Sequence, residues 1–131
     1  MEAVIRTLKP SAVTLNLRED SILEVNFLPN QRVEVYDINQ MLRSIHKMGS
    51  GKKYKNIVHV GEATWPDAAA MKLCCGIEGS LHKIATAFVI ENTIQRVAGK
   101  LLTNLMNPQK PTRFFASKEE AEMWLQSIEE N

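Results

Sequence analysis

Three short stretches of this chain, 61–67, 91–96 and 116–120, gather the residues best suited to recognition chemistry: Glu62, Thr64, Trp65, Asp67, Asn92, Thr93, Arg96 and Ser117. Each stretch sits where an apolar run gives way to a helix-opening pattern. The free N–H groups of a helix start favour anions and polar ligand groups. In open α/β sheets, ligands bind beyond the carboxyl ends of the strands, where such helix starts cluster. The expected binding set is therefore Glu62, Thr64, Trp65, Asp67, Asn92 and Arg96. Thr64, Asn92 and Ser117 also suit plain helix capping, which is the first reading for Asn92 and Ser117. Trp65 beside Pro66 suits the anchoring of a partner, because exposed tryptophans dominate binding hot spots. Burial against a neighbouring helix is the alternative for that side chain.

The other reactive residue types assemble no catalytic site. His46, His59 and His82 lack H-x-x-x-H spacing, and no C-x-x-C exists, so no metal is expected. His59 lies within an apolar run and reads as a hydrogen-bonded core histidine. Cys74 and Cys75 are adjacent and read as reduced helix residues, since neighbouring cysteines bridge only with strain. They fall late in their helix, where the dipole opposes a thiolate. Gly49-Ser50-Gly51-Lys52 lacks the Gly and the Ser or Thr of a phosphate loop and follows a helical pattern. It reads as a helix stop. No nucleophile, base and orienting group can be combined, so neither an enzyme nor a cofactor is expected.

The elements that must position the three stretches are legible in periodicity. Residues 13–28 alternate about Glu19-Asp20-Ser21 and predict an antiparallel hairpin. Asp37 with Gln40 predicts a helix start, Ile38, Met41, Leu42 and Ile45 its apolar face, and Gly49-Ser50-Gly51 its end. The runs 57–60, 85–90 and 113–116 predict parallel strands. Thr64 with Asp67 three residues on predicts the cap of a helix over 68–75, with Pro66 in its first turn. Asn92 with Gln95 opens the next helix. Ile94, Val97, Ala98, Leu101 and Leu105 form its apolar stripe and are expected to face the sheet. Ser117 with Glu120 opens the last helix, with Ala121, Trp124, Leu125 and Ile128 inward. Residues 1–11 read as an arm or edge strand and 12–131 as one domain.

Length and composition bound the function classes. A chain of 131 residues with 44% hydrophobic and 24% charged residues suits one soluble globular core. The formal net charge of +1 gives no electrostatic case for nucleic acid. No apolar run approaches the ~20 residues needed to span a bilayer. The start Met1-Glu2 has no basic-then-apolar leader, so a cytoplasmic protein is expected.

Residue-level similarity is concentrated in the last third of the chain. Ala87-Phe-Val-Ile90, Arg96, Asn107-Pro108, Pro111-Thr-Arg-Phe114 and Ser117-Lys-Glu-Glu-Ala-Glu-Met-Trp-Leu125 resemble the C-terminal half of small bacterial SpoIIAA-like proteins. Those are grouped with the STAS domain (sulfate transporter and anti-sigma-factor antagonist) and share a βαβ build with SEC14-type lipid-binding domains. The resemblance implies an α/β fold, with a single STAS-like mixed sheet in which an N-terminal antiparallel hairpin precedes alternating helices and parallel strands. It implies a non-enzymatic regulatory module acting through a protein partner, or, as the alternative, a small apolar-ligand or lipid binder. A homodimer is compatible with either. In anti-sigma-factor antagonists a phosphorylated Ser opens the helix after the central strand, usually behind an Asp. The corresponding loop 61–67 has no Asp-Ser pair, and Thr64 is its only hydroxyl and hence its candidate phosphoacceptor.

Overall fold

The computed structural model describes residues 4–9 and 12–129. The expected hairpin is present. β2 (Val13–Arg18) and β3 (Ile22–Phe27) pair antiparallel, turning through Ser21 at φ 65°. β1 (Val4–Leu8) pairs antiparallel with β2 and forms the edge. Beyond β3 the sheet is parallel, through β5 (Tyr54–Val60), β7 (Lys83–Val89) and β8 (Thr112–Phe115), giving the order β1-β2-β3-β5-β7-β8. β5 and β7 are neighbours, as their continuous apolar runs predicted. Both begin before those runs, with Tyr54 paired to Lys83 and Lys55 and Asn56 paired to Ala85 and Thr86.

The linking helices are α1 (Val35–Gly49), α2 (Ala68–Cys75), the single turn α3 (Ile77–Ser80), α4 (Thr93–Met106) and α5 (Lys118–Ser127). One face of the sheet, carrying Leu15, Leu23, Val25 and Val58, packs on Ile38, Met41 and Ile45 of α1 and Ala70 of α2. The opposite face, carrying Ile22, Ile57, Ala85, Ala87 and Val89, is covered by Ala121 and Leu125 of α5. Trp124 and Ile128 lie half-buried at the margin of that cluster. Two layers of helix on one mixed sheet is the expected STAS-like architecture. No helix among the described residues is long and apolar enough to cross a membrane.

Two helix starts differ from expectation. α1 begins at Val35 with Glu34 as the capping position, and the Oδ2 of Asp37 accepts from the Glu34 N–H at 2.9 Å. Asp37 is thus the third helical residue rather than the cap. Glu is a poor capping residue, so the true start was masked by the better-looking Asp three positions later. α2 is capped by Asp67, whose Oδ1 accepts from the Ala70 N–H at 2.8 Å, and Thr64 caps no helix. The cause is a second, two-stranded parallel sheet, β4 (Arg32–Val33) with β6 (Trp65–Pro66). Trp65 N–H donates to Gln31 O and Asp67 N–H to Val33 O, both at 2.9 Å, so the chain stays extended through Pro66.

The stop at 49–51 is as read. Ser50 adopts the left-handed conformation that ends α1, and Gly51 follows at φ +82°. Ser117 caps α5, accepting from the Glu120 N–H at 3.3 Å.

The largest departure concerns α4. Its apolar stripe does not face the sheet. Ile94, Val97, Leu101 and Leu105 are 79, 54, 62 and 82% exposed, whereas Gln95 and Thr103 are buried. The inward side is built from small and polar residues instead. A Cβ on Gly99 would stand 3.3 Å from the ring of Phe114 and 3.5 Å from Ile90 Cδ1. This close seat of helix on strand selects the small face over the greasier one.

Candidate functional site

The loops leaving β5 and β7 are stitched together at the carboxyl end of the sheet. Asn92 accepts from the Gln95 N–H at 2.9 Å, the expected cap of α4. The expected reciprocal bond of a capping box is replaced. Gln95 Nε2 instead donates to Gly61 O at 3.0 Å and Thr64 O at 2.8 Å, tying α4 to the loop after β5. On the other side of that loop, Asn30 N–H donates to Glu62 O at 2.9 Å and Gly61 N–H to Phe27 O at 3.0 Å. Thr64 is 1% exposed. Its hydroxyl donates to Leu28 O and accepts from the Gln31 N–H. That hydroxyl holds the β3 exit to the β5 exit from inside, so a kinase could reach Thr64 only by opening the loop.

Two hollows flank this loop. The first is an open cleft of about 470 Å³ lined by His59, Val60, Gly61, Glu62, Glu91, Asn92 and Gln95. It brings Glu62 and Asn92 together as expected and adds His59, Glu91 and Gln95, which sequence reasoning had not assigned to a site. His59 is half-exposed on this cleft, not a core histidine. It is near the end of β5, where the strand outruns the cover of the helices. The second hollow is an apolar slot of about 140 Å³ between β6 and α4, lined by Trp65, Pro66, Met71, Phe88, Ala98, Leu102 and Phe114 among others. That volume is smaller than the ~300–1,000 Å³ of a typical ligand pocket, the size the lipid-binding alternative calls for.

The remaining expected residues are spread around this rim. Trp65 is 45% exposed and edges the apolar slot. Arg96 is turned to the backbone, its Nη1 donating to Ile90 O at 2.7 Å and Glu91 O at 3.2 Å. It thus clamps the end of β7 rather than presenting a free cation. Asp67 is engaged as the α2 cap, and Ser117 lies apart as the α5 cap.

Chemistry elsewhere is limited. Among the described residues, no group of three or more His, Cys, Asp or Glu could hold a metal ion. His46 Nδ1 and His82 Nε2 are 3.0 Å apart, bridging α1 to the start of β7. Both cysteines are free. Burial, then the neighbouring Cys74, push the Cys75 thiol up to about 11, with Lys83 opposing. Its proton is held more tightly in the folded chain than in the unfolded one. The stability this contributes is complete below pH 9 and is lost as pH rises from 9 through about 11. At pH 8, iodoacetamide should therefore leave Cys75 unmodified in the native chain and alkylate it in the denatured one, as read by peptide mass spectrometry. Rapid native labelling of Cys75 would contradict its burial.

The comparisons agree with this geometry at the level of fold. The chain matches a solved structure of an uncharacterized protein from the DUF3478 family with a SpoIIAA-like fold, from Shewanella loihica PV-4. The match has a TM-score of 0.58, 14% identity and 95% coverage of both chains. The SpoIIAA-like fold that the sequence resembled is therefore present. No curated protein matches the chain. A family model described as a domain of unknown function, DUF7793, spans residues 15–129, from within β2 through all five helices, and the chain belongs to that DUF7793 family.

Proposed function

We propose that this chain is a non-enzymatic regulatory module of the cytoplasm that binds a protein partner through the rim formed by residues 61–67 and the start of α4. One observation carries the reading. Trp65 is 45% exposed, yet the backbone around it is held by β4, by the β3 exit and by Gln95. A large aromatic side chain on a pre-ordered loop contributes contact area at little entropic cost, which is the mark of a binding anchor. The cleft beside it, with the polar groups of Glu62, Glu91 and Asn92, supplies a rim able to fix orientation by hydrogen bonds.

The surface works as a constitutive one in this reading. Thr64 is a structural hydroxyl, so a phosphate switch at this position would dismantle the loop rather than decorate it. The test is affinity capture from a native lysate with wild type, Trp65→Ala and Glu62→Lys. A binding anchor loses at least tenfold in retained partner with Trp65→Ala, since hot-spot truncations cost about 2 kcal/mol or more. Identical capture by wild type and both folded variants would remove this rim from the function.

A further inference from the structure

The outward stripe of α4 has the pattern of a self-complementary contact. At 100° per residue, Ile94, Ala98, Leu101 and Leu105 fall within an arc of about 60°, with Val97 on its flank. The stripe is also symmetric along the helix. Ile94 and Leu105 lie equally far from the midpoint between Gly99 and Lys100, and so do Ala98 and Leu101. Two copies of α4 laid antiparallel about a two-fold axis at that midpoint would set Ile94 of each against Leu105 of the other. Ala98 would likewise meet Leu101. Every apolar residue would meet an apolar residue, which is what an isologous interface requires.

Area and charge favour the same occupant. Scaled by their exposures, Ile94, Val97, Leu101 and Leu105 present roughly 500 Å² of apolar surface, at the upper end of what a monomer leaves bare. A standard interface takes ~800 Å² per partner, and homodimer interfaces are ~65% apolar, so the stripe supplies about the apolar share one side needs. Lys100 is the only charge between Thr93 and Met106 on the outward side, and it sits off the stripe. The net charge of +1 leaves little repulsion between copies. Antiparallel packing also sets each helix start beside the other's end, which the dipoles favour.

We infer that α4 is the two-fold contact of a homodimer, packed antiparallel across Ile94, Ala98, Leu101 and Leu105. This goes beyond partner binding at the Trp65 rim, and its test is separate. A dimer would carry two such rims, so a partner with two matching sites would bind with avidity.

The experiment is light-scattering mass measurement of the full chain at concentrations up to about 0.1 mM, far above the Kd of a standard interface. Wild type should show twice the 14.8 kDa chain mass. Leu101→Asp should show the single mass with an unchanged circular dichroism spectrum, because Leu101 is exposed in the isolated chain. Trp65→Ala should remain dimeric, which separates this contact from the partner rim. Register is read by oxidising a mixture of Ile94→Cys and Leu105→Cys chains, which should cross-link to each other well above the wild-type background of Cys74. Neither variant should do so alone. A wild-type monomer at the highest concentration would overturn the inference. So would a dimer that survives Leu101→Asp, or Ile94→Cys chains that cross-link as readily alone as in the mixture.

Discussion

Arg18→Ala is expected to destabilise the chain by about 3 kcal/mol in urea denaturation, at the lower end of the ~3–5 kcal/mol for breaking a buried pair. Arg18 ends β2 at 4% exposure, on the face covered by α5. Its Nη2 lies 2.7 Å from Asp20 Oδ2, and its Nη1 lies 2.8 Å from Glu122 Oε2 and 3.5 Å from Glu24 Oε2. Burial disfavours the guanidinium charge, but the hydrogen bonds to Glu122 and Asp20 more than offset it and raise the pKa above its ordinary value. One side chain thus joins the hairpin turn, β3 and the last helix. Removing it leaves three carboxylates around an apolar margin, with Lys118, 3.6 Å from Glu24, the opposing cation among the described residues. Those carboxylates keep 15–25% of their exposure, so water limits the penalty. A double-mutant cycle with Glu122→Gln should return a coupling of about 1–2 kcal/mol, within the range for residues of one salt-bridge network. A loss under about 1 kcal/mol for Arg18→Ala would place the cluster with ordinary surface ion pairs.

Nothing in the sequence marks Arg18 as different from any other polar residue of an alternating strand. Its importance depends on where α5 lands, and that is a tertiary fact. The same limit explains the other departures. The hairpin, the parallel order of β5, β7 and β8, and the caps Asn92 and Ser117 were legible because each rests on local chemistry, either alternation or a side chain bonding three residues away. Thr64 and Asp67 satisfied the same local rule equally well. The choice between them was made by β4, more than thirty residues upstream, which pairs with Trp65–Pro66 and delays the helix. For α4 the local rule was obeyed and still misled. The stripe is amphipathic at helical spacing, but the packing of Gly99 on Phe114 turns it away from the sheet. Within the candidate site, two residues of the three-stretch reading, Glu62 and Asn92, line one cleft. That reading missed Gln95, whose capping-box position concealed a longer reach to Gly61 O and Thr64 O.

Gly61→Ala should have the second large effect, and it reports on the site itself. A Cβ at this position would stand 2.6 Å from Pro29 N and 2.7 Å from Leu28 C. Both are backbone atoms and cannot swing aside, so the exits of β3 and β5 must separate. The expected cost is about 2–3 kcal/mol, in the range of overpacking a close contact. The damage should not be confined to stability. The parting strands would stretch the bond from the Thr64 hydroxyl to Leu28 O and the bond from Gly61 N–H to Phe27 O. They would also withdraw Gly61 O from Gln95 Nε2. Amide hydrogen exchange should accordingly rise across 61–67 while α5 stays protected. Capture of a partner should fall as far as it does for Trp65→Ala, even though Trp65 itself is intact. Thr64→Val gives an independent cut at the same seam. It keeps the volume of the side chain but leaves Leu28 O without its donor and Gln31 N–H without its acceptor, at about 1–3 kcal/mol. Two variants that share no atoms but loosen the same loop should then lose partner binding together. If Gly61→Ala folds with wild-type stability and wild-type exchange, the two strand exits are free to part. The rigid presentation of Trp65, on which the binding reading rests, would then be lost with it.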